Sequence, residues 1–79
     1  MPLNEKTHAI MVECYSGYKA DERPVSFISD GKKFMVERII KQWRSPDYDY
    51  FNVLANDGKG YLLAHDNIKD DWVLEKVFE

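Results

Sequence analysis

Apolar side chains fall on alternate positions through most of this chain, and turn residues punctuate the alternation. Phe51, Val53 and Ala55 share one face of the segment Tyr50–Ala55. Beyond Asp57-Gly58, Tyr61 and Leu63 share a face of Gly60–Ala64, with Leu62 and Ala64 opposite. A period of two belongs to a β-strand. Asp-Gly supplies the two left-handed positions of a type I′ turn, whose twist matches the strands it joins, so these runs predict a hairpin. Asp30-Gly31, between Val25–Ser29 and Lys32–Val36, predicts another of the same kind. His8–Tyr15, with Ile10, Val12 and Cys14 alternating against Met11 and Glu13, reads as a first strand. Trp72–Phe78 reads as the closing one: Trp72 and Leu74 point one way, and Val77 breaks the phase unless a bulge intervenes. Ser16–Arg23 and Asp66–Asp71 are polar connections, and Pro24 is tolerated at the first residue of a strand.

Lys33–Trp43 admits two readings. As a helix, Met35, Val36, Ile39, Ile40 and Trp43 form one apolar stripe. As a strand, Phe34 and Val36 share one face and Ile39, Lys41 and Trp43 the other. Asp30-Gly31 requires a returning strand behind it, and small barrels turn corners with a long strand that switches face through a bulge. We therefore expect a curved strand, ended by the turn chemistry of Arg44-Ser45-Pro46-Asp47.

Five or six strands joined by short turns make an all-β protein. Such a sheet buries two tryptophans only by curling on itself, which predicts a small curved antiparallel meander or an SH3-like barrel. With 79 residues there is room for one domain, 1–79, with 1–6 expected to be flexible. A chain of this size buries about 60% of its unfolded surface, so the core is modest. The lone Cys14 forms no internal disulfide and offers no paired zinc spacing. No apolar run approaches the ~18 residues of a membrane span. The N-terminus lacks a secretory pattern, so a cytoplasmic protein is expected.

The net charge is −3, but the charge is unevenly spread: five bases against two acids from Asp30 to Arg44, then three bases against eight acids from Ser45 to Glu79. The plain reading is that basic and acidic strands lie side by side and pair. Chemistry is sparse. Cys14 with His8 or His65 could form a thiol–imidazole pair, but a strand cysteine is ordinarily a small buried hydrophobe. Asp66, Asn67, Asp70 and Asp71 lack the spacing of a calcium loop and read as an acidic turn. Nothing points to a catalytic residue, a metal or a cofactor. The feature with functional promise is aromatic: Tyr15, Tyr18, Trp43, Tyr48 and Tyr50 lie near Lys32, Lys33, Arg38, Lys41 and Arg44.

The run Glu22-Arg23-Pro24, Phe27, Gly31, Val36, Ile39, Trp43 resembles a family of short bacterial cytoplasmic proteins of unknown function. Tyr61, Leu63, Trp72, Leu74 and Val77 resemble its C-terminal half. The resemblance spans roughly Glu22–Phe78 and implies a common small β fold without site residues to carry over. We expect a non-enzymatic interaction module that takes a protein or peptide through Arg38, Lys41, Trp43, Arg44, Tyr48 and Tyr50. The alternative is single-stranded nucleic acid, bases on the rings and phosphates on the cations. No membrane partner is expected, and the chain should be a monomer or a weak homodimer.

Overall fold

The alternating apolar runs form six strands: β1 (His8–Tyr15), β2 (Arg23–Ser29), β3 (Lys32–Arg44), β4 (Tyr48–Ala55), β5 (Gly60–Asp66) and β6 (Asp71–Phe78). The computed structural model describes residues 8–15 and 23–78. The 1–6 segment, Tyr18, Glu22 and the connection up to Arg23 lie outside the described residues, as do the His8 and Tyr15 side chains. Each strand pairs antiparallel with the next, and β6 returns to β1, so the meander closes into a barrel.

Two strands change partner along their length. In β1, His8–Ile10 pair with β6, whereas Met11–Tyr15 pair with β2. In β3, Lys32–Met35 pair with β2, whereas Val36–Arg44 pair with β4. Strands that cross from one half of a sheet to the other form the corners of small barrels, and bulges let them bend. The expected face switch in β3 therefore occurs, but through two bulges. Glu37 is the extra residue between Val36 and Arg38, and Ile40 the extra residue between Ile39 and Lys41. The strand reading had placed Ile39 with Lys41 and Trp43. Instead Ile39 joins Phe34 and Val36 against the core, because Glu37 displaces it by one position. Glu75 is the extra residue of β6, which accounts for the phase break before Val77.

The hairpin turns differ. Asp30 (φ 54°) and Gly31 (φ 76°) are both left-handed, as a type I′ turn requires. At the second turn only Gly58 (φ 86°) is left-handed. Its amide donates to the Ala55 carbonyl, and the Ala55 amide donates to that of Lys59. This is a three-residue loop, Asn56-Asp57-Gly58, with a glycine bulge, rather than the type I′ turn expected from Asp-Gly. A side chain at Gly58 would meet no steric obstacle, so it is the backbone angle that favours glycine there.

Inside the barrel Phe27, Val53, Ala55 and Leu63 are sealed from water, joined by Phe51, Tyr61, Leu74 and Ile10. Phe27 stacks on Phe34 (centroids 5.1 Å apart) and meets Tyr61 edge-on (5.1 Å), tying β2, β3 and β5 together. The Tyr61 hydroxyl reaches the barrel mouth and donates to Asp57 Oδ2 at 2.6 Å. That bond, ahead of the Lys59 amide, holds the Asp57 carboxyl below its usual range. On the outer face Ser26 is buried beneath its neighbours and donates to Glu13 Oε1 at 2.7 Å, with Lys33 Nζ 3.6 Å from the same oxygen. Cys14 is half-buried on β1.

Because Phe27 touches the rings of two other strands, Phe27→Ala should cost about 3–5 kcal/mol. A chain this small has a total stability of about 4–12 kcal/mol. Urea unfolding should show the midpoint fall by about a quarter or more. A change under about 1 kcal/mol would remove the three-ring cluster from its place at the centre of the core.

Candidate functional site

The bulges in β3 fix which side chains reach the outer surface. After Ile40, Lys41 pairs with Asn52 and Trp43 with Tyr50, while Gln42 falls opposite the buried Phe51. On β4, Tyr48, Tyr50, Asn52 and Leu54 alternate against the buried Phe51, Val53 and Ala55, so they too face outward. The turn between the strands is tight. The Ser45 amide donates to the Tyr48 carbonyl at 2.8 Å, and the Tyr48 amide donates to Ser45 Oγ at 3.3 Å. Proline at 46 supplies a preset turn angle.

This geometry lines up three rings. Trp43 stacks on Tyr50 with centroids 5.3 Å apart and planes 19° from parallel. Tyr48 stacks on Tyr50 at 5.9 Å and 23°. The first is a cross-strand pair and the second an i, i+2 pair on one strand, which are the two ways neighbours meet on a sheet face. The ladder partner of Tyr50 on β5, Ala64, is completely buried. Trp43 remains 42% exposed and Ile40 51%. Lys41 Nζ lies 5.7 Å from the Trp43 ring centroid.

Of the six residues anticipated for binding, Arg38, Lys41, Trp43, Tyr48 and Tyr50 share this face. Arg44 does not. It pairs with Asp49 on the opposite face, with Nε 3.3 Å from Oδ1. Among the described residues, neither Arg38 nor Lys41 has a carboxylate within ion-pair distance. The pairing of the basic strand with the acidic half is thus realised, among the described residues, at one ladder pair, Arg44–Asp49, and not at Arg38 or Lys41.

The other end of the ring row is acidic. The Asp66 carboxylate accepts the amides of Ile68 (2.9 Å) and Lys69 (3.1 Å), which hold its carboxyl below the usual range. That charge in turn is the first cause pushing the Tyr48 phenol above its ordinary value, followed by lost hydration, Tyr50, Glu75 and Asp47. The Asp66–Asp71 loop is pinned to the β3–β4 turn: the Asn67 amide donates to the Asp47 carbonyl at 2.9 Å and Asn67 Nδ2 to Asp49 Oδ1 at 3.3 Å. Asp70 meets His65 Nε2 at 2.8 Å. Asp66 is therefore engaged by its own loop and Asp70 by His65, and the described residues contain no group of three or more His, Cys, Asp or Glu side chains that could hold a metal ion.

Sequence reasoning missed Asn52, Ala64, Asp66 and Glu75 as surroundings of the rings. Alternation alone places Asn52 beside Tyr50, but Glu75 reaches the region only through a bulge. Asn52 Oδ1 is buried with no hydrogen-bond partner among the described residues, on the face that carries Lys41.

If Asp66 sets the Tyr48 environment, the phenol should titrate above the ordinary tyrosine value, and Asp66→Asn should bring it down. The amide oxygen can still accept the two loop amides, so the loop is retained. The pH dependence of the Tyr48 Cζ chemical shift reads this directly, and an unchanged midpoint in the variant would contradict the assignment. Compared with protein-family models, with curated proteins and with solved structures, the chain gives no match, and the reading of this surface rests on its own geometry.

Proposed function

We propose that this chain is a small, non-enzymatic, SH3-like interaction module that binds an extended segment of a protein or peptide along the Trp43–Tyr50–Tyr48 row. The observation that carries the reading is the row itself, three stacked rings held on the outside of a sealed barrel and ending in a half-exposed tryptophan. Tryptophan and tyrosine on a rigid sheet give large contact area at low entropic cost and are the usual anchors of protein recognition. We place the protein in the bacterial cytoplasm, with the family its Glu22–Trp43 pattern resembles.

Charge favours a peptide over nucleic acid. Arg38 and Lys41 flank the tryptophan end, but Asp47, Asp66 and Glu75 surround the tyrosine end. A polyanion laid along the row would meet carboxylates at one end, whereas a peptide can carry both signs. The ring faces that would stack on bases are also turned toward one another.

Selection from a displayed library of random dodecapeptides tests the proposal. Enriched peptides should bind at micromolar Kd and lose at least tenfold on Trp43→Ala, with the melting temperature within about 2 °C of the parent. An empty selection, together with a random single-stranded oligonucleotide that binds and weakens steeply with salt, would hand the surface to nucleic acid.

A further inference from the structure

The ring row has a second element beside it, the backbone edge of β3. The β2–β3 ladder ends at Ser26↔Met35. Continuing it would bring Val25 and Pro24 opposite Val36 and Glu37. Val25 is the extra residue of a bulge, and Pro24, which has no N–H to donate, pairs with Cys14 on β1. From Glu37 to Arg44, therefore, β3 is paired on its β4 side alone among the described residues. On such a strand alternate N–H and C=O groups point away from the existing partner and can template another strand. Arg38, Lys41 and Trp43 stand along it on the outer face, with Ile40 exposed between them. Glu37 to Arg44 carries three bases and one acid, and the described residues offer Arg38 and Lys41 no carboxylate.

From this we infer that the Glu37–Arg44 edge of β3 takes an acidic peptide as an added strand, with carboxylates on alternate residues meeting Arg38 and Lys41 on the outer face and apolar residues between them on the opposite face. The inference rests on the peptide reading of the ring row for its location, and adds the mode of binding and the charge of the ligand. Main-chain hydrogen bonds supply the affinity in such additions, and alternate side chains supply the choice. The bulges at Glu37 and Ile40 limit the regular edge to a short stretch, which lets the free protein stay soluble while still admitting one strand.

The probe is an acetylated and amidated decapeptide of alternating glutamate and valine, with a lysine–valine decapeptide as control. Amide exchange followed by NMR should slow at least tenfold at alternate positions of Glu37–Arg44 when the acidic peptide is added, and not with the basic one. N-methylating the probe at every other residue, in each of the two phases, should weaken binding at least tenfold in one phase or both. Failure to bind at millimolar peptide, or equal binding by both methylated phases and the parent, overturns strand addition. Shifts at Trp43, Tyr48 and Tyr50 without slowed exchange in β3 overturn it too, while leaving the ring row as the binding surface. Slowed exchange in β3 that survives Trp43→Ala unchanged fails the ring row and keeps the edge. Concentration-dependent protection of the same amides without peptide assigns the edge to a second copy of the chain and overturns the peptide assignment.

Discussion

Everything in this molecule depends on β3 bending. Its first four residues belong to the β2 side and the rest to the β4 side, and a straight strand could not serve both. The bend is made at Glu37, one residue more than β4 can match. Asn56 secures the corner from outside: Met35 N–H donates to Asn56 Oδ1 at 3.1 Å, and Asn56 N–H donates to the Met35 carbonyl at 2.9 Å. With β3 bent, Phe34 on one side of the corner and Ile39 on the other both reach the core. Phe27, Phe34 and Tyr61 can then meet, and β6 comes round to β1.

The same bend creates the surface. Because the β2–β3 ladder stops at Met35, the far part of β3 runs on with only β4 beside it among the described residues. The second bulge, at Ile40, then decides which side chains that extension shows. Arg38, Lys41 and Trp43 fall on the outer face despite spacings of three and two. Core and ring row are both shaped by one irregular strand: Phe27, Phe34, Phe51, Tyr61 and Trp72 lie in or against the core, and Trp43, Tyr48 and Tyr50 lie on the outer face.

Much of this was legible in the sequence, because a period of two and an Asp-Gly turn are local signals. The break at Val77 announced a bulge, although it could not say that Glu75 was the residue displaced. Glu37 and Ile40 left weaker marks. Two adjacent isoleucines are compatible with a helix, with one bulge or with two, and only the pairing with β4 decides. The second turn was misjudged because the Asp-Gly signal is the same for two- and three-residue loops. What differs is the register of the flanking strands, which is a tertiary property. Arg44 was grouped with Trp43 by proximity, yet neighbours on a strand face opposite ways, so alternation alone could have separated them. The polar fasteners, from Ser26–Glu13 to Asp57–Tyr61, join residues whose partners no local pattern names.

The most direct test of the bend is to delete Glu37. Deletion leaves Phe34, Val36 and Ile39 on one face, since the shortened strand alternates regularly through them, so any loss reflects geometry and not exposure of a core residue. If the bulge closes the barrel, the deletion variant should lose cooperative urea unfolding, and the nuclear Overhauser contacts between the Phe27 and Tyr61 rings should disappear. If it unfolds at the parent's midpoint with those contacts intact, the bulge is incidental, and some other feature brings β6 back to β1.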